Sequence, residues 1–343
     1  MKAIIYENPQ VVEYREVEKP EIPENHVLLK VAYAGICGTD LNIFAGTHPR
    51  AKAPLILGHE FSATVASHHP HYPVGTKVTV NPLLSCGTCI PCRSGQSHVC
   101  DDLKLVGIDI DGGMAEYVAV HENKLVALPE ALSLKTGALA EPVAVAVHAV
   151  RKSKFLVGDR AVVYGAGTIG LCVALTLRAF GASEVVVIEN NELRLKKAEE
   201  LGFLTLNPSK DNVEAAIDQL TNQSGIDYAF DCAGHPLVLA QVTEIVKVQG
   251  TAVIVAGYKK PAELNLLQGM FKELTMQFVR VYTERDIELA LDLLVKNKEF
   301  EGIITHTLRA EQAKEGFNLL TTPTDAIKVL YAFEEVRDEN ESV

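Results

Sequence analysis

The chain has 343 residues, with 32 Lys and Arg against 44 Asp and Glu, a formal charge of −12. So acidic a surface repels phosphate backbones and anionic lipid, which counts against nucleic acid and the membrane surface as partners. Apolar residues make up 48% and charged residues 22%, the balance of a globular protein of about two domains rather than of a disordered chain.

No uninterrupted run reaches the roughly 18 apolar residues that a bilayer span needs. Asn8 and Pro9 stand where a signal peptide would carry its apolar core, so the expected location is cytoplasmic. From Met1 to about Val143 the chain reads as short strands cut by Gly and Pro: VLLKVAYAG (27–35), TKVTV (76–80) and AEYVAV (115–120). This pattern predicts a mostly antiparallel β unit. From about Arg160 nearly continuous apolar strands alternate with segments of helical period. AVVYG (161–165), EVVVIE (184–189), DYAFDCAG (227–234), TAVIVAG (251–257) and LTMQFVRVY (274–282) read as strands, with helices after Gly165, over 191–202 and around 239–248. Strand and helix in regular succession predict a parallel sheet covered on both faces, and the fold class is α/β. The acidic tail EEVRDENESV reads as a solvated end.

The first of these strands runs into Gly165-Ala166-Gly167-Thr168-Ile169-Gly170. Gly165 suits a tight turn, Gly167 a close approach of backbone to a pyrophosphate, and Gly170 close packing of helix on strand. The helix N-terminus then offers unpaired N–H groups to the phosphates. The second strand ends in Glu189, 19 residues after Gly170. A carboxylate there accepts both hydroxyls of an adenosine ribose and repels a 2′-phosphate, which favours NAD over NADP. Arg194 suits the adenine or a phosphate, and equally an exposed helix charge.

Seven cysteines remain to be explained, and an odd number in a chain expected to be cytoplasmic argues for metal or catalysis over disulfides. Cys86, Cys89, Cys92 and Cys100 crowd into 15 residues with Gly87, Pro91 and Gly95 between them. Four soft thiolates at loop spacing fit a closed tetrahedral zinc site that organises structure; an iron–sulfur cluster and four metal-free thiols are the competing readings. Cys37, His59 and Glu141 each sit beside a Gly or Pro that fixes a loop, and Glu60 follows His59 directly. Together they offer S, N and O donors for a second zinc with a vacant position.

The motifs ICGTD (36–40), LGHEF (57–61), the four-cysteine lobe, DGGMAEYV (111–118), LAEPVAVAVHA (139–149), VGDRAVVYGAGTIG (157–170) and AIKVLYAF (326–333) follow one another along nearly the whole chain. In this order they resemble the zinc-containing medium-chain alcohol dehydrogenase family, in its polyol (sorbitol and butanediol) and threonine dehydrogenase branch. The resemblance implies a GroES-like β domain from residues 1–142 and 280–343, a Rossmann domain from 143–279, and two zinc ions per chain, one catalytic and one structural. It implies hydride transfer between NAD and a secondary alcohol, most readily a polyol or diol; a threonine-type amino alcohol, a hydroxy acid or a sugar phosphate is the alternative. A zinc and nucleotide module without catalysis is a remote third.

The family motif carries catalytic ligands onto Cys37 and His59, with Glu60 as a nearby or exchangeable carboxylate and Glu141 where ethanol-type enzymes carry a cysteine. Thr39 matches the hydroxyl that passes the substrate proton on. The next relay position, often His in the family, is Asn42, which has no group titrating near neutral pH. His48 is the nearest alternative, though it reads more readily as an exposed loop residue, as do His68, His69 and His71. By the same resemblance Ile43, Phe44, Arg280 and Tyr282 face the substrate, Arg280 equally suiting a structural role, and the chains assemble as homodimers or homotetramers.

Overall fold

The computed structural model describes residues 1–322 and 324–333; the acidic tail expected to be a solvated end lies outside the described residues. Two compact units divide the chain, one formed by Met1–Glu141 with the segment from Ile304 on, the other by Pro142–Ile303.

The first unit is built on a seven-stranded sheet. Its central strand, His26–Gly35, is buried at seven of its ten positions and pairs antiparallel with Glu60–Val65, with Tyr117–His121 and with Lys328–Ala332. Among the described residues the only parallel pairing in this sheet joins Ile304–Arg309 to Lys328–Ala332. A three-stranded sheet, Val11–Glu16, Lys2–Asn8 and Leu55–Ile56 in that order, completes the unit's β framework, and the strands Leu83–Leu84 and Lys104–Leu105 frame the four-cysteine lobe. The expected antiparallel β unit is thus present.

The second unit holds a six-stranded parallel sheet. Its order is Leu204–Leu206, Glu184–Ile188, Arg160–Tyr164, Ile226–Asp231, Val246–Ile254, Thr275–Phe278. Counted along the chain this is 3-2-1-4-5-6, the doubly wound order whose ligand crevice opens where the strand sequence reverses, beside Arg160–Tyr164. Val162, Tyr164, Val186, Ile188, Ala229 and Ala252 are buried in a core closed by Ile217 and Val242 of flanking helices. Each large apolar side chain buried in this way contributes about 1.5–3 kcal/mol.

The boundary expected at 142 falls within a residue of the structural one, whereas the boundary expected at 279 does not. Residues 280–303 stay with the nucleotide-type unit. The helix Glu284–Lys296 is the reason: Asp286, in its first turn, accepts from Nδ1 of His148 at 2.8 Å and pairs with Arg151, both on the helix Ala140–Lys152. The last strand is also shorter than the apolar run suggested, ending at Phe278.

Candidate metal centre and nucleotide site

Strand order brings the donors of the first centre together. Gly35, at the end of the central strand, lies opposite Glu60 on one neighbour and Leu330 on the other. The chain then turns into the short helix Gly38–Phe44, with Cys37 at its N-cap. Asp40, three residues on, accepts the Cys37 amide at 2.8 Å and so fixes the turn that carries the thiol. On the other side Gly58 has φ +98°, and a Cβ there would meet the Met114 amide nitrogen at 2.9 Å. This crowded turn aims His59 and Glu60 inward. One ligand atom from each of Cys37, His59 and Glu60 lies within 4.8 Å of the others.

The donor set fits zinc. Burial pushes the Cys37 thiol up to about 11, with the Asp40 carboxylate adding to the rise and Lys328 opposing it; such a thiol becomes a thiolate when a cation shares its pocket. Asp40 Oδ1 and His59 Nδ1 are both buried, 3.8 Å apart, and neither makes a hydrogen bond among the described residues. The carboxylate takes the Nδ1 side of the ring, which leaves Nε2 as the donor, as in carboxylate–histidine–metal triads. Glu141 is buried at the start of the helix Ala140–Lys152, near enough to raise the Cys37 thiol, but it does not join the group of three.

Two residues of this centre were not foreseen as functional. Asp40 was legible in principle, as an acidic residue at the third helical position after an N-cap. Lys328 lies in the closing apolar strand, fully buried, and donates from Nζ to the Ile36 carbonyl at 2.9 Å and to the Glu60 carboxylate. A lysine inside an apolar run signals a buried carboxylate partner.

The four cysteines of the lobe also converge, each offering a sulfur within 4.8 Å of the rest. Cys89 and Cys100 Sγ are 3.8 Å apart, and the amides of Cys86 and Cys89 point at the sulfurs of Cys100 and Cys86, at 3.3 and 3.4 Å. Bonds from Thr88 and from the Cys89 amide draw the Cys86 thiol down to about 6. Amide bonds to sulfur are what thiolates ligating a metal receive.

In the second unit Gly165 has φ +95°, and a Cβ on Gly170 would overlap the Gly165 carbonyl oxygen, whereas Gly167 faces open space. The helix Thr168–Ala179 starts there, with Ala166 buried and Thr168 and Ile169 in its first turn. Glu189 closes the loop: Oε2 accepts from the Ala166 amide at 2.9 Å, and Oε1 from Asn190 and Asn191 at 2.8 and 2.9 Å. Arg194 keeps a buried Nε with no hydrogen-bond partner among the described residues. A buried, unpartnered guanidinium nitrogen near this loop fits an anionic or purine ligand better than an exposed helix charge.

The residues expected to face a substrate divide. Arg280 is exposed. Ile43 and Phe44 are buried, with the Phe44 ring 5.0 Å from Phe317, and Tyr282 has no exposed surface. Tyr282 is turned inward because the strand stops four residues earlier and the helix cap at Thr283 anchors the segment. His48 accepts at Nδ1 from the Ala51 and Arg50 amides, at 3.2 and 3.4 Å, and burial lowers its pKa. Its proton therefore resides on Nε2 and its basic nitrogen is engaged, which removes it as a relay base. His69 pairs with Glu122 at 2.7 Å; among the described residues no third metal-binding group forms around the loop histidines.

A family model described as the alcohol dehydrogenase GroES-like domain matches residues 23–130, and one described as zinc-binding dehydrogenase matches residues 168–296. Over 96% of this chain, and 99% of the relative, 35% of residues are identical to (R,R)-butanediol dehydrogenase of Bacillus subtilis. The chain belongs to the zinc-containing medium-chain alcohol dehydrogenase family.

Within that family it stands in the polyol and threonine dehydrogenase branch. A relative at 38% identity, over 79% of this chain and 81% of its own length, is the 2-dehydro-3-deoxy-L-galactonate 5-dehydrogenase of Pseudoalteromonas atlantica. The solved structure of 2R,3R-butanediol dehydrogenase from Bacillus subtilis superposes with a TM-score of 0.90 at 33% identity, covering 97% of this chain and 99% of that one. This medium-chain dehydrogenase is accordingly an oxidoreductase acting on CH–OH groups with zinc and a nicotinamide dinucleotide, on a GroES-like unit and a Rossmann unit. No helix among the described residues is long and apolar enough to cross a membrane.

Proposed function

We propose that the chain oxidises a secondary hydroxyl of a polyol or diol with NAD, and reduces the corresponding ketone in reverse. The observation that carries this reading is the convergence of Cys37, His59 and Glu60 donors within 4.8 Å of one another. Cys37, His59 and Glu60 hold the catalytic zinc, with Glu141 as a second carboxylate nearby, and Cys86, Cys89, Cys92 and Cys100 hold a structural one. When bound, zinc at the first centre supplies a Lewis acid that makes an alcohol proton easier to remove, and the nicotinamide supplies the hydride acceptor.

The chain's own residues do the rest. Asp40 places its carboxylate on the Nδ1 side of the buried His59 ring and holds the turn that carries Cys37. Thr39 Oγ1 takes the substrate proton and passes it toward solvent, because Asn42 has no titrating group and His48 is engaged at Nδ1. Amides at Gly165–Gly170 hold the pyrophosphate, Glu189 accepts the ribose hydroxyls, and Arg194 contributes its free Nε to the nucleotide. Glu189 also repels a 2′-phosphate, which makes NAD the preferred cofactor. A hydroxy acid is the second reading, favoured by the 38% identical galactonate-type relative and by the exposed Arg280 guanidinium.

The protein assembles as a homodimer or homotetramer in the cytoplasm. Support for assembly lies in the edge strand Thr275–Phe278, beside which Leu266, Leu267, Met270 and Phe271 are exposed on one short helix. An unpaired edge flanked by an apolar patch suits pairing with a second copy. Seven cysteines without a disulfide suit a reducing compartment.

A panel of polyols, diols, threonine, hydroxy acids and sugar phosphates, each with NAD and with NADP, tests the reading. A neutral polyol or diol with NAD is expected to give the highest kcat/KM; a sugar acid as the best substrate would favour the second reading, and no turnover with any alcohol would overturn both.

A further inference from the structure

Two turns leave the C-terminal edge of the parallel sheet side by side. Ile226–Asp231 and Val246–Ile254 are neighbouring parallel strands with Asp231 opposite Ile254, so the segments that follow them, 232–235 and 255–258, share one rim. The first of these turns is packed on both sides. A Cβ on Gly165 would lie 3.4 Å from the Ala233 amide nitrogen, and one on Gly234, at φ +66°, would lie 3.0 Å from Ala256 Cβ.

Asp231, with no exposed surface, ties the two turns together. Its Oδ1 accepts from the amides of Ala233 and Gly234 at 3.0 and 2.9 Å, and its carbonyl accepts from the amides of Val255 and Ala256 at 3.0 and 2.9 Å. The remaining bond comes from a side chain. The Tyr258 hydroxyl donates to Asp231 Oδ2 at 2.6 Å and lies 3.1 Å from the His235 carbonyl oxygen. A hydroxyl has one proton to give, and the charged oxygen at the shorter distance takes it. Burial and the Asp231 carboxylate both raise the pKa of this hydroxyl, so it remains a donor through the neutral range.

In the doubly wound order a dinucleotide lies across the crevice between the two halves of the sheet. Glu189, beyond the second strand, marks the adenosine half. The nicotinamide half then falls on the other side of Arg160–Tyr164, where Ile226–Asp231 and Val246–Ile254 are the next two strands. Gly257 faces open space, which leaves the backbone of the second turn open to a ligand. We infer that Tyr258, by clipping its own turn to the Asp231 carboxylate, holds segments 232–235 and 255–258 as one preformed platform for the nicotinamide ring. Tyr258 is a positioning residue that acts through the backbone of both turns.

The expected effect follows from preorganisation. Turns that must be ordered when the ligand arrives cost affinity, and a bond that orders them beforehand removes that cost. The adenosine half has its own ties, from Glu189 to the amides of Ala166, Asn190 and Asn191, and none of them involves Tyr258. Loss of the hydroxyl should therefore be felt by the nicotinamide half alone.

This inference rests on the reading of the Gly-rich turn and Glu189 as a dinucleotide site, and the experiment separates the two. Zinc-loaded wild type, Tyr258→Phe and Tyr258→Ala are titrated with NADH, followed by the nicotinamide's own fluorescence. The chain has no Trp, so protein emission does not obscure that signal. ADP-ribose, which lacks the nicotinamide, is titrated as a competitor, and thermal unfolding verifies that each variant is folded. Tyr258→Phe keeps the ring and loses only the hydroxyl. It should raise the Kd for NADH by about 5- to 10-fold, the scale of one hydrogen bond to a charged group, and reduce the fluorescence gain on binding. Its affinity for ADP-ribose should equal that of wild type, and Tyr258→Ala should follow the same pattern. NADH bound by Tyr258→Phe as tightly as by wild type would overturn the inference. So would equal weakening of NADH and ADP-ribose, which a merely structural role would produce. Wild type that binds neither NADH nor ADP-ribose would overturn the dinucleotide reading instead.

Discussion

The carboxylate of Asp40 stands 3.8 Å from Nδ1 of His59, with both groups buried and Asp40 also accepting the Cys37 amide. One carboxylate therefore bears on two donors of the same centre, the buried imidazole it faces and the turn that carries the thiol. Asp40→Ala should lower zinc affinity at this centre by about 10- to 100-fold, the range seen when a group behind a metal ligand is removed. Zinc retained after chelator dialysis measures it; retention equal to wild type would exclude the role.

The four-cysteine lobe has little apolar burial of its own, with Cys86 exposed and the helix Ile90–Arg93 carrying no buried residue. Metal coordination must then supply its order, a contribution on the order of 10 kcal/mol in small zinc-folded units. Cys92→Ser is expected to bind one zinc fewer and to become open to protease cleavage between residues 86 and 100. A lobe equally resistant in the variant would show that the thiols fold it without metal.

Glu189 spends both oxygens on the amides of Ala166, Asn190 and Asn191 in the ligand-free chain, which fixes a negative charge beside the Gly-rich turn. Replacing it by Ala should raise the ratio of kcat/KM for NADP over NAD by about 10-fold or more, the equivalent of roughly 1.4 kcal/mol. Steady-state kinetics with both dinucleotides decide it, and a ratio that stays the same would remove Glu189 from cofactor selection.

Burial alone would raise the Asp286 carboxyl, but bonds from His148, Thr283 and Arg151 outweigh it and hold the group well below the usual carboxylate range. A carboxylate whose folded pKa is depressed contributes stability above its unfolded pKa of about 4 and loses it as the pH falls toward the folded value. Asp286→Asn is expected to cost about 3 kcal/mol at neutral pH, as for a broken buried ion pair. Urea unfolding at descending pH should show the gap between variant and wild type closing below about pH 4. A gap independent of pH would place the cost in packing instead.

Spacing made the Gly-rich loop, Glu189 and the four-cysteine lobe legible, because each is a local pattern within about 30 residues. Cys37 with His59 was legible for the same reason, each lying beside a glycine-fixed turn. Lys328 was not, since its partner Glu60 is 268 residues away and only strand order joins them. The boundary at 303 was hidden because the bonds from His148 and Arg151 to Asp286 carry no local signature. Ile43, Phe44 and Tyr282 are buried, as are His59 and Glu60, so burial alone does not separate a ligand contact from a core position.

The central claim is that His59 helps to hold a zinc on which turnover depends. Zinc content and alcohol-dependent NADH formation, measured together on His59→Ala and wild type, test it most directly. The variant should carry one zinc against two and lose activity by about 1,000-fold or more, the several kcal/mol that a metal Lewis acid contributes. Undiminished NADH formation by a variant that still binds two zinc ions would contradict the account.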